Sequence, residues 1–349
     1  MTPQLTVGST MSLPPESRLR FVEGLPICRI LNGMWQVSGT HGRIDPTAAL
    51  DAMLAYHDAG FTTWDLADHY GPAEDFIGEF RRRLSAERGD DALSDIQAFT
   101  KWVPRPGPMT RQIVENNVDI SLRRMGLERL DLLQFHWWEY RDKRYLDALE
   151  QLAALRDEGK VHRVALTNFD TERLREIAEH GVRVVSNQVQ YSLIDRRPEV
   201  QMSEVCEEQR VWLLPYGVLC GGLLSDRYLG QPEPGPSVLN TASLRKYKQM
   251  VDAWGGWNLF QRLLAALRAI ADKHGVSIAN VAERYILEKP TVAGVIIGVR
   301  LGVAEHIAEN ARVFSFQLDA DDYRAIDEVS ANARDLYRII GDCGDEYRR

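Results

Sequence analysis

From Ile30 onward, short apolar runs alternate with longer segments whose apolar residues recur at helical spacing. Before the alternation starts, Arg18 to Arg29 has the pattern of a small hairpin turning at Glu23-Gly24. The runs Ile30–Val37, Phe61–Leu66, Asp95–Thr100, Leu130–Phe135, Val161–Leu166, Val184–Gln190, Val211–Pro215 and Val292–Ile297 read as eight strands. Between them the spacing predicts helices from Asp45 or Thr47 to Tyr56, Ala73 to Leu84, Thr110 to Met125, Tyr145 to Arg156, Thr171 to Glu179 and Glu199 to Gln209. Leu259–His274 and Ile278–Leu287 form a consecutive pair, and helices near Val303–Asn310 and Asp319–Ser330 close the chain.

Strictly alternating strands and helices imply parallel strands joined by helical crossovers. Eight of them fit an α/β fold, a (β/α)8 TIM barrel of roughly 250 core residues, with a short N-terminal hairpin and long loops at the C-terminal face. Residues 1–17 are expected to be a flexible lead-in. Residues 18–349 are expected to be one barrel domain that includes the 226–258 excursion and the tail after Ala331. Gly230, Pro232, Pro234, Gly235 and Pro236 break regular structure in that excursion, and loops of such length tend to be functional covers or disordered.

Composition changes this picture little. The 349 residues are 44% hydrophobic and 26% charged, as in ordinary globular proteins. A formal net charge of -8 argues against a nucleic-acid partner. Cys28, Cys206, Cys220 and Cys343 lack zinc or disulfide spacing, so reduced thiols in a cytoplasmic protein are expected, with no metal. The first seventeen residues have no basic start or apolar segment of the secretory kind, and the uncharged run Val211–Ser225 is too short to span a bilayer. The expected partner is a small molecule, not a membrane, and the expected state is a monomer or weak homo-oligomer.

Chemistry enters at the strand ends. Asp65, Lys101, His136, Asn168, Gln188, Tyr216 and Arg300 each stand at or just beyond the end of an apolar run. A closed barrel gathers such ends around one mouth. Tyr70 follows Asp65 by five residues. A free phenol with a pKa near about 10 is a weak acid at neutral pH unless a cation stabilises its phenolate. Lys101 can be that cation and Asp65 can hold it charged, while His136 donates to or orients a carbonyl oxygen where negative charge develops. Taken singly, the bland readings prevail: Asp65 as a turn cap, Lys101 as a solvated strand end, His136 as a satisfied core residue. Their coincidence at one rim favours chemistry.

These residues lie in stretches that resemble the aldo-keto reductases. The likeness runs from about Leu31 to Phe314 and includes Gly33-Met34-Trp35, Trp64-Asp65-Leu66-Ala67-Asp68-His69-Tyr70-Gly71, Thr100-Lys101, Asp131-Leu132-Leu133-Gln134-Phe135-His136, Thr167-Asn168-Phe169, Asn187-Gln188-Val189-Gln190-Tyr191 and Ile297-Gly298 through Glu309-Asn310. The resemblance implies carbonyl reduction by hydride from a nicotinamide, with Tyr70 as proton donor, Asp65 and Lys101 tuning it, and His136 positioning substrate. It matches Thr167, Asn168 and Gln188 to contacts with the carboxamide, and Tyr216 to the aromatic stacked on the nicotinamide. Gly217, Leu219 and Gly222 fall in the pyrophosphate loop, where Gly217 stands in place of the usual Ser and backbone amides would bind phosphate.

Arg300 matches the cation against the 2'-phosphate, and Glu309 and Asn310 match the adenine contacts. NADPH is therefore favoured over NADH, although His306 replaces a frequent second Arg. Trp35, Trp102 and Trp137 are expected as walls of the substrate pocket, with Trp254 and Trp257 closing over them. Three alternatives stand beside this reading. An NADPH-binding sensor or accessory subunit would keep the same residues with little turnover. A metal-dependent hydrolase would use His57, His69 or His136 but lacks H-x-H or H-E-x-x-H spacing, and a doubly wound dehydrogenase lacks G-x-G-x-x-G after a strand.

Overall fold

A computed structural model describes residues 12–39, 42 and 44–348. The hairpin forms as the sequence predicts, with β1 (Arg18–Val22) antiparallel to β2 (Leu25–Cys28) and Gly24 at φ +75° in the turn. Eight parallel strands follow, alternating with helices: β3 (Ile30–Gly33), α1 (Pro46–Asp58), β4 (Thr63–Asp65), α2 (Ala73–Arg88), β5 (Gln97–Trp102), α3 (Arg111–Met125), β6 (Leu130–Phe135), α4 (Arg144–Asp157), β7 (Val161–Thr167), α5 (Thr171–Glu179), β8 (Ser186–Gln188), α6 (Met202–Gln209) and β9 (Trp212–Leu213). Then come α7 (Ala242–Trp254), α8 (Gly256–His274), α9 (Ile278–Leu287), β10 (Val295–Gly298), α10 (Ile307–Ala311), α11 (Ala320–Ser330) and α12 (Leu336–Ile340).

In the sheet, β10 lies beside β3, and the order then runs in sequence from β3 to β9. A parallel bridge from Leu213 to Val292, with the Ala293 amide donating to the Leu213 carbonyl at 3.1 Å, curls the last strand toward the first. This is the expected (β/α)8 barrel. The hairpin seals its base: Phe21, Leu25 and Ile27 pack against Leu31, Phe99, Leu132 and Ile296 inside the barrel. Helices start where short polar side chains satisfy the first free amides, as Asp45 accepts from the Ala48 amide at 2.8 Å and Asp170 from that of Arg173 at 2.7 Å.

Several segments depart from the sequence reading. The first barrel strand stops at Gly33 and Trp35–Ser38 forms a 3-10 turn instead. The helix expected near Val303–Asn310 is shortened to α10, because Arg300 pairs with Ala304 across a turn that puts Gly302 at φ +70°. The 226–258 excursion contains α7, which Thr241 caps by accepting from the Leu244 amide at 3.1 Å. Residues 12–17, part of the expected loose lead-in, are in place: Ser17 is buried, its amide donates to Pro14, and its carbonyl accepts from the Arg29 amide at 2.7 Å. The rest of that lead-in, residues 1–11, lies outside the described residues.

Candidate active site

Side chains alternate across a strand, so Lys101 on β5 and Gln134 on β6, which pair in register, both point into the barrel. There they meet Asp65, at the end of β4. Lys101 Nζ donates to Asp65 Oδ2 at 2.6 Å and to the Leu66 carbonyl at 2.8 Å. Gln134 and Gln188 donate their side-chain amides to Asp65 Oδ1 at 3.0 and 2.7 Å, and Gln188 also donates to Gln134 Oε1 at 2.7 Å. Both ions of the pair are almost wholly buried. A buried charge is tolerated only when paired and hydrogen-bonded, and Asp65 receives three donors.

Burial lowers the Lys101 pKa while Asp65 pulls it back up. The ammonium also stands 5.0 Å from the centre of the half-buried Tyr70 ring. Burial, and then the carboxylate of Asp65, push the Tyr70 phenol well above its ordinary pKa, so it remains a proton-bearing group at neutral pH. His136 follows β6 into the same space. Its Nδ1 lies 3.0 Å from the Thr167 carbonyl, which can only accept, so that nitrogen carries the proton. Burial lowers the ring's pKa to about 4. Nε2 is buried with no hydrogen-bond partner among the described residues, and in the neutral ring it is an acceptor. This tautomer excludes donation to a carbonyl oxygen and leaves Nε2 to accept from a bound hydroxyl.

The residues matched to nicotinamide contacts also converge. Asn168 adopts φ +59°, unusual for a side-chain-bearing residue, and its Oδ1 accepts from the Tyr216 hydroxyl at 2.8 Å. The Thr167 hydroxyl donates to the Gln188 carbonyl at 3.3 Å. Gly217 sits at φ +73°, and a Cβ added there would collide with the Tyr247 hydroxyl on α7. The absence of the usual Ser is therefore a packing requirement of α7. The loop folds on itself, with the Cys220 and Gly222 amides donating to Gly217 and Leu219 carbonyls at 2.9 Å. Arg300 is exposed at the rim. His306 Nδ1 pairs with Glu309 at 3.4 Å, which raises the imidazole's pKa, and Asn310 is buried beneath.

The tryptophans divide differently from expectation. Trp35 is half-buried beyond β3. Trp102 and Trp137 lie on the outward side of their strands, packed on Phe135 at centroid distances of 5.4 and 6.0 Å, because their neighbours Lys101 and His136 take the inward positions. The Trp137 indole is spent on the Glu139 and Asp142 carbonyls. Trp138 instead stands edge-on to His136 at 4.5 Å. Trp257 binds the Gln231 carbonyl and Trp254 is buried in α7, so neither closes over the site. The sequence reading also passed over Gln134, Lys246 and Tyr347. Gln134 carried a local signal, an amide on the inward face of an apolar strand two residues before His136; Lys246 and Tyr347 carried none.

Against known proteins, residues 29–331 match the model of the aldo/keto reductase family. The chain belongs to that family. It is 29% identical to flagellar radial spoke protein 5 of Chlamydomonas reinhardtii over 64% of this chain, which spans only 49% of that protein's length. It is 22% identical to the NADH-specific methylglyoxal reductase of Escherichia coli (strain K12), over 85% of this chain and 93% of the relative. Among solved structures, a glycerol dehydrogenase from Gluconobacter oxydans superposes with a TM-score of 0.73 at 21% identity, covering 94% of this chain and 98% of that one, which supports the barrel. Aldo-keto reductases use nicotinamide cofactors for carbonyl and alcohol oxidoreduction. The Asn168 and Gln188 side chains, the Tyr216 ring, the 217–222 loop and Arg300 are the groups that would hold such a cofactor, Gln188 through Oε1 because both of its amide hydrogens go to Asp65 and Gln134.

Proposed function

We propose that this aldo-keto reductase reduces an aldehyde or ketone to an alcohol, and oxidises the alcohol in reverse, with Tyr70 as proton donor and NADPH preferred over NADH. The observation that carries the reading is the buried Asp65–Lys101 pair, whose ammonium stands 5.0 Å from the Tyr70 ring, together with a His136 Nε2 that has no hydrogen-bond partner among the described residues. Thr167, Asn168, Gln188 and Tyr216 would hold the nicotinamide, and Gly217, Leu219 and Gly222 the pyrophosphate. When bound, the cofactor supplies the hydride.

The chain's own residues supply the proton. Tyr70 gives its hydroxyl proton to the carbonyl oxygen, and the phenolate left behind faces the Lys101 ammonium. Asp65 keeps that ammonium charged against its burial. His136 Nε2, an acceptor in the neutral ring, accepts from the hydroxyl of the product alcohol, or of the alcohol substrate in the reverse direction. Arg300, with His306 beside it, whose pKa Glu309 raises, favours a cofactor bearing a 2'-phosphate, even though one relative is named NADH-specific. A sensor or accessory subunit would keep Asp65, Tyr70, Lys101 and His136 as well, so turnover of a carbonyl separates the two readings.

A panel of small aldehydes and ketones, followed by NADPH absorbance, tests the activity. General acid catalysis contributes about 10²–10⁴-fold. Tyr70→Phe should therefore cut turnover by at least about 100-fold while the NADPH dissociation constant stays within about twofold. Loss of NADPH binding in that variant would contradict the assigned role.

A further inference from the structure

Residues 341–348, which follow α12, cross the mouth of the barrel. Gly344, at φ +86°, lies so close to the Asn168 carbonyl that any side chain there would collide with it. Tyr347 is inserted among the catalytic and nicotinamide-matched groups. Its hydroxyl is 2.9 Å from that of Tyr216 and accepts from Lys246 Nζ at 2.5 Å. Its ring stands edge-on to His136, with centroids 6.3 Å apart. Lys246 also sits over three rings, Tyr347 at 4.7 Å, Tyr216 at 5.1 Å and Tyr247 at 5.4 Å. Cations over aromatic faces are attracted by the ring quadrupole, so the ammonium holds the phenol in place.

Ionic contacts fasten the same segment to the rim. Arg197, whose side chain is fully buried, donates to both oxygens of Asp195 at 2.8 Å, to Glu346 at 2.9 Å and to the Asp342 carbonyl at 3.0 Å. Asp342 accepts from the Thr171 amide at 2.8 Å, and Arg348 donates to the Trp137 carbonyl at 2.7 Å. Cys343 is completely buried in consequence. The cleft of about 410 Å³ beside the tail is lined by Trp138, Tyr140, Arg173, Asp345 and Arg348, and no member of the tetrad lines it. Under the carbonyl-reductase reading a carbonyl must come to rest near His136 Nε2, Tyr70 and Tyr216, and Tyr347 touches Tyr216 and stands against His136 there.

We propose that residues 341–348 are a built-in competitor for the carbonyl and nicotinamide sites, with Tyr347 as the specificity-determining residue that incoming ligands displace. This rests on the carbonyl-reductase reading above. The segment is held by polar contacts, the Tyr347 ring, Arg348 over the Tyr140 ring at 3.9 Å and the buried Cys343 thiol, and Arg197 keeps Asp195 as partner when Glu346 leaves. Displacement therefore strands no buried charge, which is the costly outcome such a motion must avoid. A ligand's observed affinity is reduced by the fraction of molecules in which the tail occupies the site.

The experiment compares the full chain with Tyr347→Ala and with Lys246→Met, which removes the latch and leaves the phenol. NADPH binding is read by fluorescence, KM and kcat with a small aldehyde, and thiol labelling of Cys343 by mass spectrometry. The expected result is that both variants bind NADPH at least fivefold more tightly and show a KM at least fivefold lower with kcat undiminished. In the unmodified chain, Cys343 should react faster when NADP+ and an alcohol saturate the site. A KM that rises or stays unchanged in both variants, or a Cys343 that stays equally protected at saturation, overturns the proposal and makes the tail a fixed wall. If neither the chain nor either variant binds a nicotinamide nucleotide, the proposed function falls as well.

Discussion

Asp65 takes its donors from three other strands, which explains why a carboxylate can be buried there. Lys101 was legible as the partner because both residues end apolar runs; Gln134 and Gln188 converge on Asp65 only through barrel closure. Two buried groups make stability depend on pH. His136 holds its neutral form down to about pH 4, below its ordinary 6.5, so the unfolded chain takes up the proton first. Stability should fall as pH drops from 6.5 toward 4. Thermal melts of His136→Gln should lack that slope; a parent-like slope would place it elsewhere. Glu283 on α9 behaves oppositely: burial lifts its carboxyl from 4.5 to about 8, with only Asn280 bonding it, so stability declines as pH rises through that interval. Glu283→Gln is neutral throughout and should raise the Tm at pH 8 by several degrees, with little change near pH 4.5. A lower Tm at pH 8 would mean the native carboxylate is ionised and usefully paired.

At the scale of elements, most helices could be read from caps and apolar spacing because both signals are local. α7 escaped because the Gly and Pro residues at 230–236 mark the segment as irregular, although Tyr247, Met250, Val251 and Trp254 recur at helical spacing and are all buried. The strand expected at Val211–Pro215 contracts to β9, as strand length here is set by pairing with β8 and the Leu213–Val292 bridge. The helix and the glycine loop constrain one another. Gly217→Ser, which restores the family's usual residue, would force a side chain into a left-handed backbone and against Tyr247. Left-handed strain costs on the order of 1–3 kcal/mol and overpacking a similar amount. The variant should therefore melt several degrees lower and bind NADPH no better. Unchanged melting would show that α7 yields easily.

Across the whole molecule, the adenosine-matched rim and the tetrad lie at different places on one mouth, and the rim has its own titration. Glu309 raises the His306 pKa, Glu305 adds to that and Arg300 opposes it, while Arg312 acts on Glu309. A raised imidazole is protonated at low pH and loses its charge as pH climbs through its shifted value. The preference for NADPH over NADH should therefore shrink as pH climbs above about 6.5, the ordinary imidazole value. Arg300→Ala should weaken NADPH much more than NADH, and His306→Ala should flatten the pH dependence. An equal loss for both nucleotides would count against the phosphate contact. By itself, the sequence determined the alternation of strands and helices, the hairpin, and the place of Asp65, Lys101 and His136 at strand ends with Tyr70 just beyond. Periodicity, capping and strand-end chemistry are written within a few residues of each site. Only the tertiary structure decided which aromatics face the tetrad, which amides hold Asp65, and that Tyr347 reaches His136. Those contacts join segments far apart in the chain through single phenols and ion pairs, and no local pattern of hydrophobic and polar residues encodes them.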